Sequence, residues 1–156
     1  MDVPVFRLPL MVAVCCFMVA TTITDVLADR AAPSEQTETR AVIQQQLNAF
    51  SRDDANAAYA IASPMIQRMF GTAANFMAMV RQGYGQIYRH RRMEFGKLAQ
   101  VNGEWVQLVV FTGSHGHKAL AVYTMFKDAA GGWRVNGCRL LQKGEEAAQT
   151  ALFFKS

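Results

Sequence analysis

The sequence has few of the residues that would fix a fold or a reaction at first sight. Only 3 cysteines and 4 prolines occur among 156 residues, and charged residues make up 18%. Cys15 and Cys16 lie in an apolar run near the amino terminus, which leaves Cys138 alone in the rest of the chain. A lone thiol cannot form an intramolecular disulfide, so a disulfide-stapled domain is excluded. The fold must depend on its apolar core.

Length and apolar content limit the class of protein further. A chain of 156 residues with 51% hydrophobic residues has room for one ordinary domain, which excludes a multidomain enzyme. The apolar content is too high for a disordered chain and is spread too evenly for a protein with several membrane helices.

The amino-terminal segment resembles a signal peptide. Residues 8–24 contain no charged residue, and these 17 residues would span about 25 Å as a helix, less than a bilayer core of about 30 Å. Small residues before Asp29 suit signal peptidase, so we predict cleavage after Ala28 and an exported, periplasmic or secreted protein. An uncleaved anchor is the alternative, because Asp2 offsets Arg7.

The next segments predict a lead-in followed by helices. Residues 29–38 are polar and contain Pro33, which indicates a flexible lead-in. Ile43, Leu47 and Phe50 then share one stripe of a helix that follows Thr39. Three more helices are marked by capping residues, namely Ser51 in a capping box with Asp54, Ser63 followed by Pro64, and Thr72.

The fourth helix has the widest apolar face, and we expect it to pack on a sheet. That face comprises Phe76, Met79, Val80, Tyr84, Ile87 and Tyr88. The period near 3.6 ends at Arg92, and four strands follow, broken at Asn102-Gly103, at His115-Gly116 and at residues 128–132. The prediction is an α+β domain over residues 39–143, with three to four helices on a curved four-stranded antiparallel sheet and a tail at 144–156.

Two-residue turns would fix the register of the sheet. In that register Leu98 faces Gln107, Gln107 faces Thr124 and, with Lys127 opposite Trp133, Thr124 faces Asn136. Glu94 would share this polar face, opposite an apolar face formed by Phe95, Val106, Leu108, Val110, Tyr123, Met125 and Val135. The polar row is either a solvated outer face or the floor of a pocket.

Several of these motifs together carry a family resemblance. Over residues 40–142 the chain resembles the bacterial family called domain of unknown function 4864. The motifs are Ile43 with Leu47 and Phe50, Ala62-Ser63-Pro64, Phe70-Gly71, Phe76 with Met79-Val80, Tyr84 with Ile87-Tyr88, and residues 132–138, GWRVNGC. More remotely the pattern is similar to the nuclear transport factor 2-like and SnoaL-like proteins. That resemblance implies a cone-shaped roll and no particular reaction, since those relatives include both enzymes and non-catalytic binding proteins.

Catalytic chemistry has few candidate residues. A reaction in the cone would need a base near a tyrosine, and the weak candidates are Glu94, Tyr84 and Tyr88. His115 and His117 have no third ligand nearby in sequence, so neither a metal nor a cofactor is predicted. Cys138 is interpreted as a buried strand thiol.

The function predicted first is an exported, non-catalytic domain that binds a small apolar ligand or a protein partner in the cone. The ligand-binding residues would be Tyr84, Tyr88, Gln107, Thr124 and Asn136. A small hydrolase or isomerase using the same cavity is one alternative. A membrane-surface module is another, in which Arg89, Arg91 and Arg92 contact anionic lipid, consistent with a net charge of +4. Nucleic acid is not an expected partner of an exported protein, and a homodimer through an exposed sheet face stays open by analogy.

Overall fold

The computed structural model describes residues 33–142. Five helices precede four strands in this part of the chain. The helices are α1 (Pro33–Ser51), α2 (Ala55–Ala60), α3 (Pro64–Phe70), α4 (Ala73–Gly83) and α5 (Gly85–Tyr88). The strands are β1 (Arg92–Val101), β2 (Glu104–Thr112), β3 (Lys118–Lys127) and β4 (Trp133–Leu140). The predicted signal segment at 1–28 and the tail at 144–156 lie outside the described residues.

The first helix begins earlier than the sequence suggested. α1 starts at Pro33, so the prediction of a flexible lead-in is wrong for residues 33–38. Contacts distant in sequence explain the difference: the Trp133 indole donates to Glu38 at 3.1 Å, and Lys127 pairs with Glu35 at 3.3 Å. These bonds hold the polar first turns of α1 against the end of β3 and the start of β4, which local periodicity cannot reveal.

Side-chain caps begin three of the helices. Asp54 accepts from the Ala57 amide at the start of α2, Ser63 from Ile66 at α3, and Thr72 from Asn75 at α4. The capping box at Ser51 is a wrong prediction, because Ser51 ends α1 and its hydroxyl donates to the Asn48 carbonyl at 2.8 Å.

The fourth predicted helix is two helices with a break at Tyr84. Tyr84 caps the end of α4 and the start of α5, with Gly83 and Gly85 on either side. The main helix on the sheet is α1, which lies against β4 and β1, whereas α4 packs chiefly on α2. The expectation that α4 would be the sheet-packing helix is therefore wrong, although Phe76 and Val80 are buried in the core as expected. None of the helices in residues 33–142 has the length and apolar character needed to cross a bilayer.

The strands form one antiparallel sheet in the order β1-β2-β3-β4. Asn102 and Gly103 both have positive φ, 52° and 83°, and join β1 to β2 in a two-residue turn, as predicted. Leu98 faces Gln107, and Lys127 faces Trp133, which confirms these two predicted pairs.

The other predicted pairs are wrong by one position. Gln107 faces Tyr123 rather than Thr124, because Thr112 pairs with Lys118 and five residues separate them. Thr124 faces Gly137 rather than Asn136, because the register shifts between Thr124 and Met125. Each slip moves a side chain to the other face of the sheet.

The sheet consequently has two apolar faces of different composition. The face under the helices carries Phe95, Val109, Phe111, Tyr123, Met125, Trp133 and Val135, which pack with Ile43, Leu47, Phe50 and Phe76. Val106, Leu108, Leu120 and Leu141 form a separate buried cluster. Val106, Leu108 and Val110 thus lie apart from Tyr123 and Met125, contrary to the predicted face. The α+β architecture, with helices packed on a four-stranded antiparallel sheet, is confirmed.

Candidate functional site

An apolar cavity of about 220 Å³ lies between the helices and the sheet. Its walls come from α1, α3, α4, the break at Tyr84, α5, β3 and β4. Among the described lining residues none is a carboxylate, a histidine, a lysine or an arginine. They are Gln46, Phe50, Ala62, Ile66, Met69, Phe70, Phe76, Met79, Val80, Tyr84, Ile87, Tyr123, Val135, Gly137 and Cys138.

The wall formed by α3 is fixed to the edge of the sheet. The connection before α3 runs beside β4, where the Ser63 amide donates to Val135 at 2.8 Å and the Val135 amide donates to Ile61 at 3.1 Å. The Ser63 hydroxyl also donates to Asn136 Oδ1 at 2.7 Å. Further along α3, Met69 is 65% exposed, although it lines the cavity. The exposed end of this helix therefore forms part of the cavity rim.

The helix break directs Tyr84 toward the sheet. The Tyr84 hydroxyl donates to the Cys138 carbonyl at 2.7 Å, across the edge of β4. Burial, followed by the nearby Cys138, raises the pKa of Tyr84 above its ordinary value. The phenol is neutral in ordinary solution and closes the cavity on the side of α5.

Two more ionisable groups in the cavity are also kept neutral. Tyr123 and Cys138 face each other on β3 and β4. Burial raises the pKa of the Cys138 thiol from 9.0 to about 12, although a hydrogen bond with Tyr123 acts in the opposite direction. Burial, with a smaller effect of Cys138, raises the pKa of Tyr123 well above its ordinary value. The thiol is thus a poor nucleophile, as interpreted from the sequence.

The predicted polar row does not form in the structure. Gln107 is fully buried and donates to the Gly96 carbonyl at 2.7 Å, at a register shift in β1, and it does not line the cavity. Thr124 is paired with Val106, whose side chain belongs to the other apolar cluster. Asn136 accepts from Ser63 instead of facing the cavity. The structure does not bring these three residues together.

Tyr88 and Glu94 also lie away from the cavity lining. The Tyr88 hydroxyl donates to Asp53, which pairs with Arg81 at 2.6 Å in an exposed cluster. Asp53 has a positive φ of 56° in the turn after α1. Glu94 is exposed and faces Val110 on β2. The structure therefore does not bring the carboxylate of Glu94 together with Tyr84 and Tyr88.

Basic side chains and histidines converge at the opposite end of α5. Arg89, Arg91 and Arg92 are exposed, and the Arg91 amide donates to the Thr112 carbonyl at 2.8 Å. His115 and His117 share the lining of a shallow groove with Arg89. His90 is held by the Ile87 carbonyl at 2.6 Å, and its ring packs edge-on against Phe111. No group of three or more side chains suited to a metal occurs within residues 33–142.

Most residues of the cavity wall were not among the predicted ligand-binding residues. Ile66, Met69 and Gln46 were not singled out as site residues, although each lines the cavity. Gln46 is buried in the apolar stripe of α1, and its side chain donates to the Ala58 carbonyl at 3.2 Å. The sequence signal that could have identified Gln46 was its spacing: it lies three residues after Ile43 and four before Phe50, which places a polar side chain on the predicted buried stripe.

Comparisons with known proteins give a family and a distant structural likeness. Residues 32–148 match the family model described as Domain of unknown function (DUF4864). No curated protein matches the chain. A solved structure, Aln2 from a Streptomyces species, is similar at 12% identity with a TM-score of 0.46, over 78% of this chain and 98% of that chain. The fold assignment depends on the helices and strands described above.

Proposed function

The chain belongs to the family described as Domain of unknown function (DUF4864), and from its cavity we propose that it is a binding protein for a small, neutral, apolar molecule. The cavity between the helices and the sheet is the proposed ligand site. The observation that carries the proposal is the chemistry of the lining: aliphatic, aromatic and thioether side chains dominate it, and no described lining residue bears a formal charge.

The ionisable groups in the lining support a neutral ligand. Tyr84, Tyr123 and Cys138 all have a pKa raised by burial, so each resists forming an anion. A charged ligand buried there would lose its hydration without gaining an opposite charge, which costs several kcal/mol. An uncharged apolar molecule fits these surroundings better.

The same observations favour binding over the hydrolase or isomerase alternative. Such reactions use a positioned base, and the candidate Glu94 is exposed on β1. The hydroxyl of the other candidate, Tyr88, donates a hydrogen bond to Asp53 in a separate, exposed cluster. The candidate tyrosine that lines the cavity, Tyr84, already donates a hydrogen bond to a backbone carbonyl.

Displacement of a fluorescent probe tests the proposal. The neutral dye N-phenyl-1-naphthylamine should gain fluorescence with the full chain, and decanol should displace it. We expect decanoate to compete about a hundredfold less well than decanol, because its carboxylate would be buried without a partner.

Two matched substitutions on α3 distinguish dye binding in the cavity from dye binding at the surface. Ile66→Trp places an indole in the cavity and should weaken dye binding about tenfold or more. Met65→Trp is the control, since Met65 is 43% exposed and does not line the cavity. Met79→Phe repeats the test from α4 if Ile66→Trp does not fold, as judged by circular dichroism. Equal dye binding by the cavity variants and the control would overturn the proposal.

We also propose that the protein acts after export. The charge-free run at 8–24 and the small residues before Asp29 support this location. Expression in a bacterial host with a secretory pathway should give a periplasmic protein whose amino terminus is Asp29. A cytosolic product that retains Met1 would contradict this location and leave the cavity proposal unaffected.

A further inference from the structure

The structure brings cations from separate elements to one end of the sheet. Arg92 on β1 is paired with Thr112 on β2, and Thr112 is paired with Lys118 on β3. The Arg91 amide bonds to the Thr112 carbonyl, which places Arg91 at the same end. We call this the basic end and define it by Arg89, Arg91, Arg92 and Lys118. Arg92 and Lys118, 26 positions apart in sequence, thus lie at the same end of the folded sheet with Thr112 between them.

A shallow groove lies at the same end of the sheet, on the face that carries Phe111 and Ala119, whereas Arg92 and Lys118 begin their strands on the opposite face. Arg89, which follows α5, forms one side, and His115 and His117 from the connection between β2 and β3 form the other. Phe111 and Ala119 lie at its base, and both are buried. The groove therefore has an apolar base and a rim that contains one arginine and two histidines.

These cations are not neutralised by the described part of the chain. All four side chains of the basic end are exposed, and within residues 33–142 none of them forms an ion pair. The Arg89 guanidinium lies 5.9 Å from the centre of the Tyr88 ring. The nearby acidic groups are Asp53, which is paired with Arg81, and Glu94, two residues after Arg92 on β1.

We propose that the basic end is a docking surface for an anionic phospholipid bilayer, with a lipid phosphate received by the groove. The cations come from the residue after α5, from the residue before β1, and from the first residues of β1 and β3, so they present charge over an area rather than enclosing one small anion. An array of this kind complements the negative surface of a membrane. The docking is independent of the cavity proposal, because no residue of the basic end lines the cavity.

Vesicle co-sedimentation of the full chain is the direct test. Vesicles that contain phosphatidylglycerol should bind the protein at low salt, and vesicles of phosphatidylcholine alone should bind it much more weakly. Binding should weaken steeply as salt rises, because exposed charges are screened. Binding that is equal for the two lipids, or unchanged by salt, would overturn the proposal.

Two matched charge reversals test whether the basic end is the surface that binds the vesicles. Each basic residue near an anionic membrane contributes about 1 kcal/mol, so Arg92→Glu should weaken binding at least about fivefold. Arg68→Glu makes the same change in net charge on exposed α3, away from the basic end, and should weaken binding less than about twofold. Lys118→Glu repeats the test if Arg92→Glu does not fold. Equal loss with Arg68→Glu would show a response to net charge alone and would contradict the assigned surface.

A competition arm distinguishes a membrane from a free phosphate. At constant ionic strength, inorganic phosphate at about 10 mM should leave vesicle binding within twofold, because one small anion meets only part of the cation array. Full displacement by inorganic phosphate would assign the groove to a soluble anion and overturn the bilayer proposal. The double variant His115→Ser and His117→Ser should weaken vesicle binding while leaving dye binding in the cavity unchanged.

Discussion

The cavity wall and the exposed cluster of Tyr88, Asp53 and Arg81 satisfy polar groups in opposite ways. The Tyr84 hydroxyl donates a hydrogen bond to the Cys138 carbonyl inside the fold. Four residues later, the Tyr88 hydroxyl meets the exposed pair Asp53 and Arg81. The break between α4 and α5 separates the two environments. A polar group is neutralised where water is excluded, and charges persist where solvent and screening are available.

The largest expected contrast is in thiol reactivity. Burial raises the pKa of Cys138 to about 12, so alkylation by iodoacetamide at pH 8 should be at least about a hundredfold slower than for an exposed thiol. A thiol introduced by Ser114→Cys in a Cys138→Ala background, on the exposed connection near the basic end, provides the comparison.

The alkylation rates of the buried and the exposed thiol should also depend differently on pH. Because the folded protein retains the Cys138 proton up to about pH 12, the alkylation rate should keep rising between about pH 9 and pH 12, the upper limit being set by unfolding. The rate for the exposed thiol should level off near its lower pKa. A Cys138 rate that levels off near pH 9 would show that the cavity does not exclude water.

Removal of a ring from the cavity wall should cost the most stability. Phe76 is 6% exposed and lies within 6.3 Å, between ring centres, of Phe50, Tyr59 and Phe70. Phe76→Ala should lower the free energy of unfolding by about 3 to 5 kcal/mol, since it removes packing and leaves a void. Arg91→Ala at the basic end should change it by less than about 0.5 kcal/mol. Urea denaturation measures both, and similar losses would contradict the contrast.

The cap that fixes α3 should have an intermediate effect. Ser63→Ala removes the cap to Ile66 and also the bond to Asn136, whereas Thr72→Ala removes only the cap to Asn75. We expect losses of about 2 and about 1 kcal/mol respectively in urea denaturation. A smaller loss for Ser63→Ala would show that the link to β4 adds nothing to the stability of the cavity wall.

The two tyrosines give the smallest and most direct comparison. Tyr84→Phe leaves the Cys138 carbonyl without its part-buried donor and should cost about 1 kcal/mol. Tyr88→Phe removes an exposed bond and should cost less than about 0.5 kcal/mol. The reverse order of the two losses, measured by urea denaturation, would remove the distinction between a part-buried hydroxyl at the cavity wall and one in a solvated cluster.

The fold was more predictable than the site. The caps at Ser63 and Thr72, the Asn102-Gly103 turn and the four strands follow from local chemistry. The early turns of α1 escaped prediction because they depend on Trp133 and Lys127, about 90 residues away. Of the five predicted ligand-binding residues, Tyr84 lines the cavity and the other four do not.

The sequence by itself determined the order and type of most elements, because helical and strand periods, caps and tight turns act between residues a few positions apart. It also determined that no disulfide within the domain could replace an apolar core. Only the tertiary structure decided which side chains share a face. The five-residue connection between β2 and β3 and the extra residue in β4, Asn136, each shift the register by one, and successive strand residues point to opposite sides. Those shifts separate Gln107 from Thr124 and leave Tyr123 and Cys138 together at the wall of the cavity.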